Sequence, residues 1–335
     1  MELAEARENT KEYKMELIGS SADALWAEAL WKFEQNAVLE NSRNGAVLTC
    51  PSPATITLTR PMYRVLYNSK RDANPFFHVM EFVWMMAGRR DVDWIRQFNK
   101  GIDKYAERDG HFHGAYGYRW QKTFGGNQIV ALVNQIKADP YSRQHVLQMW
   151  SATHDLLNTE KVKDKPCNTS IMFRMVMDRL DMTVINRSND LVWGALGANL
   201  VHMTLLHELI ARSVPCKLGT YRVFSNNLHV YERHWELVKR EFNTYPDEER
   251  ELHKELTPMP LSEKPIAIEK WLLSAWNFCF GVTVNGFNDD WLNYVAYPMM
   301  MAYSQRHQRN AYISDIKCPA WRRAAELWSA RHPVN

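Results

Sequence analysis

Cys167 follows Pro166 in Lys165-Pro166-Cys167-Asn168, at the start of an alternating apolar segment. A cysteine held at such a boundary can act as a nucleophile if positive neighbours favour its thiolate. Otherwise it is a small buried hydrophobe. Asn186-Arg187-Ser188-Asn189-Asp190 offers such a neighbour: five polar residues interrupt an apolar run. Arg187 could lower the thiol pKa and hold a phosphate, although a polar turn with a surface ion pair is the plainer reading. Glu81 lies inside the apolar stretch Phe76 to Met86. A carboxyl there must be paired, protonated or facing a cavity. Burial raises its pKa, which suits general acid–base chemistry, unless a structural partner merely satisfies it. In Asn226 to His234, the i, i+2 pair His229 and Tyr231 could reach a sugar hydroxyl, yet the segment alone reads as a polar helix start.

The elements that must hold these groups can be read from periodicity. Trp26, Leu30 and Phe33 predict a helix over 20–35 with Ser20 or Ser21 as its cap. Residues 41–45 read as a loop, and Ala54 to Leu58 alternates as a strand. Pro75 opens a buried helix that Gly88 ends. His145 to Trp150 reads as a strand. Ile171 to Met177 and Leu180 to Val184 form a hairpin around Asp178-Arg179. Asn199 to Ser213 is expected as a helix, Tyr221 to Phe224 as a strand, and Leu228 to Phe242 as a helix. Asn243 to Pro265 reads as an excursion, followed by helices over 268–280, 290–306 and 319–331. The expected class is α+β with a helical C-terminal segment.

With 335 residues, 46% of them hydrophobic and 24% charged, the chain can bury a large core, which excludes wholesale disorder. Its net charge of +3 gives no case for dedicated nucleic-acid binding. The five cysteines contain no C-x-x-C pair, so no metal is expected and free thiols in a reducing, cytoplasmic setting fit better. The acidic N-terminus lacks the apolar core of a signal peptide. Phe76 to Gly88 is shorter than the roughly 20 residues a membrane span needs.

Taken in order, S-R-N-G, H-V-M-E-F-V-W, G-A-Y-G-Y-R-W, D-P-Y-S-R-Q, P-C-N-T, R-S-N-D and N-L-H-V-Y resemble the thymidylate synthase superfamily over roughly residues 20–240. R-S-N-D-L-V-W-G and L-H-V-Y-E-R-H look most like its phage branch, the deoxypyrimidine-nucleotide hydroxymethylases. The resemblance implies a mixed sheet with flanking helices, a catalytic domain over 1–242 and a helical extension over 243–335 packed on the core. It also implies a homodimer joined sheet to sheet, with shared active sites. It would make Cys167 the nucleophile at C6 of a pyrimidine. Glu81 would be the proton relay and Tyr116 a group near the reacting base. Asp190 would lie between nucleotide and pterin. Arg43, Arg187, Ser188 and the other subunit's Arg143 would hold the phosphate. His229 and Tyr231 would hold the sugar, and Asn199 would read the base. The co-substrate implied is 5,10-methylenetetrahydrofolate, met by Glu81, Asp103 and Asp190.

The reaction fits these residues. Thiolate addition at C6 makes C5 a nucleophile toward a one-carbon unit. The resulting exocyclic methylene accepts hydride to become methyl, or water to become hydroxymethyl. Three positions depart from the synthase pattern: Gln144 after Arg143, Asn168 after Cys167, and Asp103, beside Ile102 and Tyr105, where a tryptophan would wall the methylene. A polar residue there favours water. The leading expectation is conversion of dUMP to 5-hydroxymethyl-dUMP, in the host cytoplasm if phage-encoded. Thymidylate synthase and a dCMP or CMP hydroxymethylase are the alternatives, and a binding protein that keeps the fold without turnover is a further one. Ungapped counting from Arg187 places Ala198 at the base-reading position. Counting back from Leu205-Leu206 places Asn199 there, and a loop takes an extra residue more easily than a helix changes phase.

Overall fold

The computed structural model describes residues 14–241, 247–282, 287, 289–308 and 312–333. The N-terminal residues before 14, the expected boundary at 242/243 and the last two residues lie outside the described residues. In chain order the main elements are β1 (Met15–Gly19), α1 (Ala22–Asn36), β2 (Val38–Ser42), β3 (Gly45–Thr49), β4 (Ala54–Leu58), α2 (Pro75–Met86), α3 (Gln128–Ala138), β5 (Val146–Gln148), β6 (Asn168–Val176), β7 (Arg179–Asn186), β8 (Asn189–Asp190), α4 (Ala198–Ser213), β9 (Lys217–Ser225), β10 (Leu228–Tyr231), α5 (Trp235–Glu241), α6 (Asp247–Glu255), α7 (Ile268–Cys279), α8 (Tyr297–Ser304) and α9 (Pro319–Arg331).

A six-stranded mixed sheet runs β1-β4-β9-β7-β6-β5, and a four-stranded sheet runs β2-β3-β10-β8. Pairing is parallel in β1/β4, β7/β9 and β8/β10, and antiparallel elsewhere. Period-2 burial decides which side of the large sheet faces inward. Ala54, Ile56 and Leu58, with Leu180, Met182 and Val184 and with Tyr221 and Val223, are buried on one face. α4 lies behind this face, and its His207 Nε2 bonds Leu180 O at 2.6 Å. The opposite face carries Met172, Val176 and Phe224, which are 41%, 37% and 37% exposed.

Local chemistry sets the helix ends. Ser21 Oγ accepts from Ala24 N to begin α1, and Asn74 Oδ1 accepts from Phe77 N just before Pro75 begins α2. Gly88 ends α2 with φ of +62°. The tail packs on α2: Phe82 meets Trp271 and Trp291, and Phe76 meets Tyr303 and Trp328. The irregular segment before α7 is tied to the core by Glu208, whose carboxylate takes Arg64 Nη2 at 2.6 Å and Leu261 N at 2.8 Å.

Three segments differ from expectation: the excursion over 243–265 contains helix α6, the loop read over 41–45 shrinks to Arg43-Asn44 between β2 and β3, and the third is the helix expected after β9. The helix read over 228–242 is strand β10 in its first four residues, then a short 3-10 turn, and only from Trp235 an α-helix. β10 fills the gap between β3 and β8, so pairing overrides the local apolar spacing. The hairpin turn is also displaced slightly. It falls at Met177-Asp178, with Met177 at φ of +56°. β1, β2 and β3 carry no prior strand assignment; β2 is exposed at every position and offers no alternation, whereas β1 and β3 alternate over only five residues each.

Candidate active site

The β2–β3 hairpin, β10 and the segments flanking β5, β6 and β7 line a cleft of about 390 Å³, with Arg43, Trp150, Lys165, Arg187, Ser188, His229 and Tyr231 among its residues. Cys167 immediately precedes β6 and is half-buried. Arg187, one residue past β7, reaches back across the hairpin. Its Nε and Nη2 donate to the carbonyls of Pro166 and Lys165 at 3.0 and 2.8 Å, and Nη2 lies 3.9 Å from Cys167 Sγ. Burial pushes the thiol pKa up. Arg187 and Arg43 oppose that shift, and Asp164 and Asp190 reinforce it. The thiol therefore rests protonated at neutral pH, and thiolate must form as substrate binds.

Glu81 faces inward from α2. Burial, with the Asp164 carboxylate next in importance, pushes its pKa up to about 8, so it carries its proton at neutral pH. His202 Nε2 lies 3.4 Å from Glu81 Oε2 and 3.2 Å from His78 O. Burial lowers the His202 pKa to about 3, so this contact joins two neutral groups and is no ion pair. Tyr116 OH accepts from Asn168 N at 3.4 Å, and burial pushes its phenol pKa well above its usual range. Asn168 Nδ2 faces Ser170 O, Ile185 O and Asn186 Oδ1, which fixes the amide, while Asn168 Oδ1 is buried and has no partner among the described residues.

The turn that carries Tyr116 is positioned by a buried network. Arg119 forks onto Asp155 with two 2.7 Å bonds, and His113 Nε2 meets the same carboxylate at 2.9 Å. Burial alone would raise the Asp155 pKa. Bonds from Arg119, Ser151 N and His113 hold it below its ordinary value. Gly117 rests directly on α2, since an added Cβ would stand 1.7 Å from Met85 O.

At the cleft's other wall, His229 and Tyr231 project from one side of β10, with ring centroids 5.0 Å apart. The strand thus aligns an i, i+2 pair that a helix would have splayed. His229 Nδ1 lies 2.8 Å from Asn227 Oδ1 and 3.5 Å from Ser188 Oγ. Arg43 is exposed at the β2–β3 turn and borders both this cleft and an adjoining cavity of about 1170 Å³. Asp190 caps the following turn through Val192 N at 2.9 Å and lies 4.0 Å from Arg233 Nη2. Asn199 opens α4. An added Cβ on Gly194 would meet Asn189 Oδ1 at 2.5 Å and Asn199 Nδ2 at 3.2 Å, so glycine there leaves both amides their space.

Of the expected site residues, Arg43, Arg187, Ser188, His229 and Tyr231 line the cleft, whereas Cys167, Glu81, Tyr116, Asp190 and Asn199 do not, and two more lie apart. Asp103 pairs with Arg96, Nη2 to Oδ2 at 2.6 Å, and its neighbours Lys104 and Tyr105 line the adjoining cavity in its stead. Arg143 is exposed on the turn before β5 and does not line its own chain's cleft. Other groups went unread in the sequence. Buried Arg71 clamps Val192 O through Nε and Nη2, holding the turn between Asp190 and Asn199. His202 bears on Glu81. Asp164 acts electrostatically on Glu81, Tyr116 and Cys167 together. Lys163-Asp164-Lys165 looks like a solvated charge run, so nothing in its type or spacing signals this. Among the described residues no group of three His, Cys, Asp or Glu could hold a metal ion, and no helix is long and apolar enough to cross a membrane.

A family model described as thymidylate synthase matches residues 69–265. The chain is 37% identical over 322 residues to a deoxyuridylate hydroxymethyltransferase of Pseudomonas phage M6, covering 91% of this chain and 90% of the relative. It is 34% identical to the protein of the same description from Bacillus phage SP01, over 53% of this chain and 49% of that one. A third, from Delftia phage PhiW-14, is 28% identical over 52% and 51%.

Proposed function

The chain belongs to the thymidylate synthase family, and from that premise we propose that it hydroxymethylates C5 of dUMP, giving 5-hydroxymethyl-dUMP. The observation that carries this reading is the Cys167 thiol, 3.9 Å from the guanidinium of Arg187, which itself lines the cleft with Ser188, His229 and Tyr231. The relatives' descriptions supply the uracil nucleotide and the hydroxymethyl product.

In this reading Arg43, Arg187 and Ser188 receive the phosphate, His229 and Tyr231 the sugar, and Asn199 the base edge. Cys167 adds to C6, pushing electron density to C5 and O4. Glu81, protonated at rest, hydrogen-bonds the O4 side and relays the proton, with Tyr116 beside it. Methylenetetrahydrofolate supplies the one-carbon unit. Its expected place is the adjoining cavity, where Tyr105 offers an aromatic face and Lys104, Arg108, Lys161, Lys163 and Arg233 outnumber Glu107, Asp109 and Glu160. That basic excess suits a ligand bearing carboxylates. Asp190, 4.0 Å from the Arg233 that lines the adjoining cavity, takes the place between nucleotide and pterin.

The same reading makes the enzyme a homodimer. The outer face of the large sheet exposes Met172, Val176 and Phe224, a surface suited to a second copy. Arg143, beside the edge strand of that sheet, then serves the cleft of the partner subunit. The helices beyond 242 form an extension that buttresses α2.

The test is mass spectrometry of product from dUMP, dCMP and CMP with methylenetetrahydrofolate, together with assay of the folate formed. Hydroxymethyl-dUMP with tetrahydrofolate is expected. Dihydrofolate formed in proportion to dUMP consumed would make the enzyme a thymidylate synthase.

A further inference from the structure

Three features hold one unassigned carboxylate between the segment ahead of Cys167 and the turn that carries Tyr116. The segment ahead of Cys167 is held from both sides: Lys163 N donates to Glu107 Oε1 at 2.6 Å and Lys163 Nζ to Ala106 O, while Lys165 Nζ donates to Asp155 O. Between these anchors Asp164 packs on Gly114, where an added Cβ would stand 2.8 Å from both Asp164 O and Oδ2. Gly114 belongs to the turn that carries Tyr116 and lies through Gly117 on α2, one helical turn beyond Glu81. Cys167 comes three residues after Asp164, and its neighbour Asn168 bonds Tyr116 OH. Asp164 thus lies against the turn that carries the phenol and three residues before the nucleophile, and among the described residues it is the only acid that acts electrostatically on Cys167, Tyr116 and Glu81 alike.

We propose that Asp164 holds and deprotonates the water that adds to the exocyclic methylene. This rests on the hydroxymethylase reading. Water oxygen bonds to the methylene carbon as its proton passes to the Asp164 carboxylate. The C5–methylene π pair moves onto O4 as an enolate. The enolate then re-forms the C5–C6 double bond and expels the Cys167 thiolate. No electrons leave the nucleotide, so no oxidant or reductant is needed. Glu81 is protonated at rest and serves O4, which leaves the water-facing role to a different group. Burial raises the Asp164 pKa, which strengthens it as a base.

The experiment follows a single turnover of 5-tritiated dUMP with methylenetetrahydrofolate and excess enzyme. Tritium release reports formation of the methylene, and the quenched product reports its hydration. Wild type is expected to give hydroxymethyl-dUMP at the rate of tritium release. If wild type gives dTMP and dihydrofolate, the hydroxymethylase reading itself fails. Asp164→Asn removes a charge that opposes Cys167 ionisation, so tritium release is expected to persist. Hydroxymethyl product is expected to fall about a hundredfold, with nucleotide collecting as the Cys167 adduct or as dTMP plus dihydrofolate. If wild type makes hydroxymethyl-dUMP and the two rates in Asp164→Asn fall together, or neither falls, the assignment of Asp164 is overturned.

Discussion

Glu81 shows how one burial sets a pH limit. Its carboxyl titrates near 8, so the proton is present at neutral pH and is lost as pH rises through that value. kcat/KM for dUMP is therefore expected to decline above about pH 8, reporting the free enzyme. Glu81→Gln should lose roughly a hundredfold or more in rate and, with it, that alkaline limb. An alkaline limb unchanged in Glu81→Gln would assign the ionisation elsewhere. Stability follows the same proton: the folded state keeps what the unfolded chain releases near 4.5, so this contribution falls as pH rises from there to about 8 and levels off above it. Asn199 carries the second prediction. Uracil presents an N3–H donor and an O4 acceptor, and cytosine reverses both, so an amide discriminates only if its orientation is fixed. Gly194 leaves the Asn189 and Asn199 amides their space, so a side chain there would disturb the Asn199 orientation. Asn199→Asp is expected to move kcat/KM from dUMP toward dCMP, by roughly a hundredfold in the ratio. Wild-type preference for dCMP would mean that another residue reads the base.

Among the elements, Gly117 makes the sharpest claim. A Cβ there meets backbone, Met85 O, and backbone cannot swing aside as a side chain can. Gly117→Ala is expected to cost ~3 kcal/mol, at the top of the usual overpacking range, read as a lower urea midpoint, and to part Tyr116 from Glu81. Unchanged stability would show that the turn can lift from α2. Much of this scaffold is legible in the sequence where one face of an element is buried. β4 alternates and α9 begins at a proline, and both have the bounds that their patterns predict. Legibility ends where partners decide. Leu228 to Tyr231 is a strand because β3 and β8 flank it, and no local signal records that. The site divides likewise. Cys167, Arg187 and Glu81 stand out as polar or reactive residues in apolar settings. Asp164 hides in a lysine-rich run, and Arg71, whose work is a single backbone carbonyl, has no motif.

For the whole molecule, the exposed sheet face and Arg143 lead to a complementation test. Cys167→Ser and Arg143→Ala subunits, each inactive alone, are expected to regain activity when mixed and exchanged, because one hybrid cleft holds both native groups. Confirmed heterodimers without activity would count against a shared site. The four-stranded sheet adds a consequence in time. Thr49 Oγ1 donates to Leu228 O across 179 residues of chain, and β8 joins β10 by parallel pairing. Such distant pairings are entropically expensive and form late. Helices α1 and α2 close from neighbouring residues, whereas the wall bearing His229 and Tyr231 waits for both ends of this loop. After dilution from urea, helical circular dichroism is therefore expected to return first, and nucleotide binding to lag as a slower phase. Simultaneous recovery would mean that the sheet nucleates with the helices, and a chain halted before residue 228 would be largely helical yet blind to its substrate.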